Sequence, residues 1–292
     1  MLKFGQSNSL FRGEKLDFIL KVSKYLEMRW IELKTDLLKE DFVEAVRIIN
    51  RRPEFPKKTN FSVHAAYRNI DMSNITELQK ERHKRDLDFA KEIGSDRIIF
   101  HVGYALSHKN FEKNMKQVLK VINEYLDYTE GTDLNILIEN TKQAPEKLCS
   151  ELEEVRYVLE NIEHERLGCT LDIINMVRWK KLETDDLDVI RPWIKHIHIN
   201  STPIEKGYFN DIYNYVKFVY EELELKKVLN THPKTPIILE GKTSIAQEMY
   251  LYHELNEYFM KNRTNWPKKL NNEKSNISHV FTRFLFHSSL RQ

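Results

Sequence analysis

The sequence is poor in the features that define several classes of protein. Only two cysteines, Cys149 and Cys169, occur in 292 residues, and neither lies in a CxxC pair. This argues against a disulfide framework and predicts idle thiols in a reducing cytosol. The chain has no stretch of 18 apolar residues, and its first residues, MLKFGQSNSLFRG, lack the apolar core of a signal peptide. We therefore expect a cytoplasmic protein that has no membrane partner.

The chain also lacks a strong excess of one charge. Charged residues make up 31% of the chain, but the formal net charge is only +2. Most lysines are interleaved with acidic residues, as in KLDFILKVSKYLE and ELQKERHKRDLDFAKE, which is typical of solvated helix faces. Nucleic acid, which attracts basic surfaces, is therefore the less favoured partner. With only 8 Gly and 8 Pro, the chain is not of low complexity and should fold.

Short apolar runs alternate along the chain with longer segments of helical period. The predicted strands cover residues 2–7, 30–35, 61–67, 97–103, 135–141, 167–175, 194–201 and 235–242. The predicted helices cover residues 13–27, 41–51, 75–94, 109–128, 148–163, 208–226 and 243–262. The third helix has a marked start, with Asn74 as cap and Glu77 three residues on, and a marked stop at Gly94.

Eight strands in strict alternation with helices predict parallel pairing and right-handed crossovers. We favour an α/β protein of the (β/α)8 TIM-barrel type over residues 1–262, with an open doubly wound sheet as the alternative. Residues 263–292 fall outside the eighth unit and form a predicted C-terminal extension. Its short amphipathic stretch predicts either a terminal helix packed on the barrel or an interface with another subunit.

Ionisable side chains stand at or near the carboxyl ends of six predicted strands, where (β/α)8 enzymes carry their chemistry. They are His64, His101, Glu139, Asp172, His198 and Glu240. Taken singly, each is more often a hydrogen-bonded core residue, a helix cap or an ion-pair partner. Taken together they indicate a site, because the ends of barrel strands converge on one point. His196 would share a strand face with His198, and we expect it deeper in the barrel lumen.

The last four of these six side chains predict a divalent metal. Three carboxylates in one pocket do not all stay ionised without a cation. Hard oxygen ligands with one imidazole suit such an ion, and Mn, Mg, Co, Zn and Fe all remain open. The predicted metal ligands are therefore Glu139, Asp172, His198 and Glu240.

The strand motifs HAAY, IIFHVG, ILIENT, LGCTLDIIN, HIHIN and PIILEG resemble, in order and spacing, those of the xylose-isomerase-like barrel superfamily. The resemblance covers about residues 1–262. That superfamily includes sugar isomerases, epimerases and endonuclease IV. The four predicted ligands resemble the metal site of the tagatose-epimerase type. That implies proton transfer next to a carbonyl through a metal-stabilised enediolate, with Glu139 and Glu240 as the acid/base pair.

The endonuclease IV branch is the alternative, since His64 and His101 look like two of its metal-binding histidines. However, the branch's DxxH motif here reads Asp172 to Asn175, and the Asp-x-His pair expected after His198 is absent. We therefore favour the isomerase over a nuclease acting on abasic DNA. A third reading is a barrel without catalysis or with a different one, such as a lyase, a dehydratase or an iron oxygenase.

The remaining predictions concern the substrate, which we expect to be a small sugar-like molecule. His64 and His101 would bind substrate oxygens or a second metal ion. The other predicted substrate contacts are Glu32, Tyr67, Asn175 and Lys242, and for Glu32 a structural ion pair is the alternative. Barrels of this type often dimerise, so a homodimer stays open.

Overall fold

The computed structural model describes residues 3–26, 28–51, 59–104, 110–142, 144, 147–177, 184–208, 210–222, 225–241 and 245–261. The predicted extension over residues 263–292 and the predicted substrate contact Lys242 lie outside the described residues. The boundary proposed at residue 262 therefore stays a prediction.

Eight parallel strands close into a barrel, in which each strand pairs with its neighbours in sequence and the last pairs with the first. The strands are Lys3–Ser7 (β1), Trp30–Lys34 (β2), Asn60–His64 (β3), Arg97–Phe100 (β4), Asn135–Glu139 (β5), Leu167–Asp172 (β6), Ile194–Ile199 (β7) and Pro236–Leu239 (β8). Helices lie between the strands. The predicted TIM barrel is therefore confirmed.

Ten α-helices are assigned among the described residues. They are Leu16–Tyr25 (α1), Phe42–Asn50 (α2), Glu77–Glu92 (α3), Phe111–Tyr128 (α4), Leu152–Ile162 (α5), Ile173–Val177 (α6), Thr202–Glu205 (α7), Ile212–Lys217 (α8), Leu225–Thr231 (α9) and Ile245–Lys261 (α10). Within these residues, no helix combines the length and the apolar character needed to cross a bilayer.

The start of α3 differs from the predicted one. Asn74 belongs to a short 3-10 turn, and the cap is Thr76, whose hydroxyl oxygen accepts a hydrogen bond from the Gln79 backbone N–H. The Gln79 side chain in turn accepts from the Thr76 backbone N–H at 2.9 Å. This reciprocal capping box satisfies two helix donors at once, which Asn74 would not do. The predicted stop is confirmed, because Gly94 follows the helix with a φ of +65°.

The sixth strand is shorter than predicted. It ends at Asp172 and not at residue 175, because the Asp172 carboxylate accepts hydrogen bonds from the backbone N–H groups of Ile174 and Asn175. These bonds turn the chain directly into α6. The carboxylate is thereby fixed at the strand end, at the same edge of the barrel as the other predicted ligands.

Alternate strand residues face the helices or the barrel lumen. Outward-facing residues such as Ile31, Val63 and Ile98 join the helices in one continuous apolar core. The lumen is tightly filled near its amino end: a Cβ on Gly5 would lie 2.4 Å from Trp30 Cβ and 2.7 Å from Ile238 Cδ1. This packing leaves the carboxyl end of the barrel for polar side chains.

Candidate metal centre

The structure brings most of the predicted site residues together at the carboxyl end of the barrel. His64, Glu139 and His198 lie in the last two residues of β3, β5 and β7, whereas His101 and Glu240 directly follow β4 and β8. Because the barrel is closed and parallel, these strand ends point to one rim. Side chains separated by more than a hundred residues of sequence thus become neighbours.

A first group of possible ligands contains Glu139, His198 and Glu240. His198 Nδ1 lies 3.1 Å from Glu139 Oε1 and 2.7 Å from Glu240 Oε2. One ligand atom from each residue falls within 4.8 Å of the others. The two carboxylate oxygens and the imidazole nitrogen therefore lie close enough together to bind one metal ion.

A second group uses the other oxygen of the same glutamate. Glu139 Oε2 lies 3.1 Å from His64 Nε2 and 2.9 Å from His101 Nε2. These three residues also offer ligand atoms within 4.8 Å of one another. The Glu139 side chain is 2% exposed, so this carboxylate is wholly surrounded by protein and belongs to both groups.

The buried charges in and around the first group shift one another's pKa values. Burial acts to raise the pKa of Glu139, but the nearby imidazoles of His101 and His198 outweigh it, and the pKa falls well below its usual value. Burial acts to lower the pKa of His198, yet the carboxylates of Glu32, Glu240 and Glu139 raise that pKa well above its usual value. Without a metal ion, the protein therefore balances its buried carboxylates with a protonated imidazole.

Asp172 lies beside these groups rather than inside them. Its carboxylate accepts hydrogen bonds from the Asn175 side chain at 2.8 Å and from the two backbone N–H groups that begin α6. Burial, followed by the charges of Glu139 and Glu240, raises the pKa of Asp172 to about 8. A carboxylate destabilised by two neighbouring carboxylates is one that a cation would stabilise. Asp172 as the fourth ligand therefore remains a prediction.

The other predicted substrate contacts lie in different surroundings. Tyr67 covers the second group, with its ring stacked on His101 at 4.8 Å between centroids and 5.5 Å from that of His64. Asn175 is largely buried and donates to Asp172 and to the Asn140 backbone oxygen. Glu32 is completely buried and contacts histidines.

The sequence reasoning missed Lys34 as a member of the site. Its ammonium donates to Glu240 Oε1 and lies 5.9 Å from the centre of the Tyr67 ring. Burial acts to lower the pKa of Lys34, but Glu240, Glu32 and Glu139 outweigh it and raise that pKa above its usual value. One signal was available: Lys34 ends a buried strand two residues after Glu32, so both side chains face the lumen.

The donors present fit a divalent cation. They combine carboxylate oxygens with imidazole nitrogens, as magnesium, manganese, iron and zinc sites do in different proportions. The structure thus defines a closed (β/α)8 barrel with a buried cluster of carboxylates and imidazoles at its carboxyl-end rim.

The chain belongs to the xylose isomerase-like TIM barrel family, whose model matches residues 24–239. The resemblance seen in the strand motifs is thereby confirmed. A segment of 118 residues is also similar to a probable endonuclease 4 of Mycoplasmoides gallisepticum (strain R(low / passage 15 / clone 2)), with 28% identity. That segment is 39% of this chain, and the chain spans only 38% of the length of this curated relative.

Several solved structures that share the fold are sugar epimerases. A D-tagatose 3-epimerase-like protein superposes with a TM-score of 0.72 at 17% identity, over 89% of this chain and 98% of the other. A 3-keto-D-glucoside 4-epimerase from E. coli superposes with a TM-score of 0.68 at 14% identity, over 89% and 100%. At such low identities, this similarity establishes the fold alone.

Proposed function

We propose that this chain is a divalent-metal-dependent isomerase or epimerase that moves a proton next to the carbonyl of a sugar or sugar-like ketone. The observation that carries the proposal is the convergence of Glu139 and Glu240 on the same nitrogen of His198 at the barrel rim. Two carboxylates and one imidazole at this edge provide both a cation site and groups that exchange protons.

The metal would be held by Glu139, His198 and Glu240, with Asp172 as the predicted fourth ligand. Such an ion would supply positive charge that polarises a substrate carbonyl and stabilises the negative charge developing on its oxygen as the adjacent proton leaves. The buried position of Glu139 and His198 supports this role, because a low-dielectric site strengthens electrostatic interactions with developing charge.

Glu139 and Glu240 would take the proton from one carbon and return it to the same or the neighbouring carbon. The group that takes the proton must be ionised, whereas the group that returns it must carry a proton. Burial acts to raise the pKa of Glu240, but the Lys34 ammonium and then His198 lower it to about 2. Lys34 therefore keeps Glu240 in the form that can bind a cation and receive a proton.

The burial of Glu139 and His198 favours a small substrate that reaches into the end of the barrel. Tyr67 stacks over His101 and provides an aromatic wall beside the ligands, as expected for a surface that packs against a sugar ring. The sugar epimerases among the fold neighbours support the same substrate class. His64 and His101 would bind substrate oxygens next to Glu139.

A second candidate function is hydrolysis of a phosphodiester in abasic DNA. One observation favours it: His64 and His101 converge on Glu139 Oε2, so Glu139 joins two groups of ligand atoms. Two neighbouring cations could stabilise the attacking and the leaving oxygen of a displacement. The endonuclease 4 similarity supports this candidate over part of the chain only.

Proton exchange separates the two functions. The protein, loaded in turn with Mn²⁺, Co²⁺ and Zn²⁺, is incubated in D₂O with a panel of ketoses, and deuterium at the carbon next to the carbonyl is followed by NMR. We expect exchange with at least one ketose, its loss in Glu139→Gln and its retention in the surface control Glu153→Gln. Nicking of an abasic oligonucleotide, with no exchange into any ketose, would replace the first function by the second.

A further inference from the structure

Glu32 lies in the middle of β2 and has no contact with solvent. Its Oε2 atom lies 2.7 Å from His198 Nε2 and 3.0 Å from His196 Nε2. A carboxylate removed from water at this depth is costly unless hydrogen-bond donors or opposite charges surround it. The two imidazole N–H groups supply that compensation, and one of them belongs to a predicted metal ligand.

The two nitrogens of His198 face different partners. Nε2 points to Glu32, whereas Nδ1 faces Glu139 Oε1 at 3.1 Å and Glu240 Oε2 at 2.7 Å. A neutral imidazole carries one N–H, and its other nitrogen has a lone pair. When a cation replaces the proton that Nδ1 shares with the two glutamates, a proton held on Nε2 by Glu32 leaves the Nδ1 lone pair to bind that cation.

We propose that Glu32 is a positioning residue of the metal centre, which fixes the ring and tautomer of His198 so that Nδ1 is the atom that binds the ion. This inference rests on the proposed function, because it needs a metal between Glu139, His198 and Glu240. A carboxylate behind a metal-binding histidine orients the ring and makes the ligating nitrogen more basic. Glu32 thereby acts on the metal through His198.

His196 supports the same arrangement from the other side of Glu32. Its ring meets that of His198 edge to face, with 4.9 Å between centroids and 88° between planes. Its Nε2 shares Glu32 Oε2 with His198, so the carboxylate has little freedom to turn away. This explains why the chain places two histidines on one face of β7, only one of which reaches the glutamates at the rim.

The position of Glu32 also separates this role from direct substrate contact. Its carboxylate is completely buried, and His198 lies between it and the rim glutamates. Removing its charge should therefore weaken metal binding, while the remaining ligands and the substrate surface keep their places.

The test begins with the intact wild-type protein, labelled with ¹⁵N-histidine and loaded with ¹¹³Cd²⁺. We expect ¹¹³Cd–¹⁵N coupling to Nδ1 of His198 and a proton on Nε2 that remains visible in the spectrum. This measurement needs no variant, so it identifies the ligating nitrogen of His198 even if Glu32→Gln fails to fold. Cadmium bound to Nε2 would overturn the inference but leave the metal centre in place.

The second measurement compares metal affinity by competition with a chelator. Glu32→Gln should bind Zn²⁺ about 10–100-fold more weakly than the wild type. Asp86→Asn removes another buried carboxyl group, one that accepts from the Ala66 backbone N–H, and should change the affinity less than about 3-fold. The comparison therefore separates the loss of the His198 partner from the general effect of changing a buried acid.

The outcomes distinguish the inference from the function on which it rests. A wild-type protein that takes up neither cadmium nor zinc would refute the metal centre and the inference together. A wild-type protein that binds metal through Nδ1, with Glu32→Gln as tight as Asp86→Asn, would refute the inference alone. Weaker binding in Glu32→Gln, with Nδ1 as the ligand, supports it.

Discussion

Replacement of Lys34 by methionine removes the ammonium that neutralises Glu240 and keeps a side chain of similar length. The pair is buried: the Lys34 side chain is 6% exposed and that of Glu240 is 19% exposed. Removing one partner of a buried ion pair costs about 3–5 kcal/mol, because the other charge is left uncompensated. His198 Nδ1 still lies 2.7 Å from Glu240 and compensates part of its charge. We therefore expect the free energy of unfolding of the metal-free protein to fall by the lower end of this range, about 3 kcal/mol.

The difference in stability between the two proteins should shrink when a divalent cation binds. In the wild type, the ion would enter a site that already holds a positive ammonium, whereas in Lys34→Met it would replace the missing charge. Differential scanning calorimetry without metal should place the Tm of the variant roughly 6–12 °C below the wild type, at about 2–4 °C per kcal/mol. Saturating Mn²⁺ or Zn²⁺ should then raise the Tm of the variant by more than that of the wild type.

Lys195→Met is a matched control, because Lys195 donates to Asn135 Oδ1 and to the Glu165 backbone oxygen rather than to a site carboxylate. It should leave the stabilisation by metal unchanged. The reasoning would be refuted by a metal-free Lys34→Met protein as stable as the wild type. Equal stabilisation of both proteins by metal would refute it as well.

Three further predictions concern the second ligand group, a buried acid and the barrel lumen. His101→Ala removes one donor to Glu139 Oε2, so mass spectrometry of the metal-loaded protein should show the first ion retained and any second ion lost. Burial raises the pKa of Asp86 to about 7 from 3.8, so the wild-type protein loses stability as pH rises from about 4 to 7. Denaturant titration across this window should find that the free energy of unfolding of Asp86→Asn gains up to about 4 kcal/mol on that of the wild type. A difference between the two proteins that does not change with pH would contradict this. Gly5→Ala should lower the Tm, because its Cβ would meet Trp30 at 2.4 Å; an unchanged Tm would argue against the tight lumen.

The order of the elements was readable from the sequence because the signals that define them are local. The alternation of apolar runs with helical periods depends on a few neighbouring residues, and eight repeats of one unit favour a closed barrel. The boundaries of the strands and helices were less predictable from the sequence. The end of β6 depended on which backbone N–H groups the Asp172 carboxylate would accept, and the start of α3 on a capping box at Thr76.

The convergence of Glu139, His198 and Glu240 was also predictable, because strand ends in any parallel barrel meet at one rim. The partners behind these residues were not predictable. Lys34 meets Glu240 across 206 residues of sequence, and Glu32 meets His198 across 166. No local pattern encodes such contacts.

The sequence by itself therefore determined the barrel and most of the ionisable groups at its rim. Only the tertiary structure decided how those groups pair, since the charges of a buried cluster depend on distances of a few ångströms between strands. Closure of the sheet places β2 within reach of β7 and β8, and that proximity turns Glu32 into a partner of His198 and Lys34 into the counter-ion of Glu240.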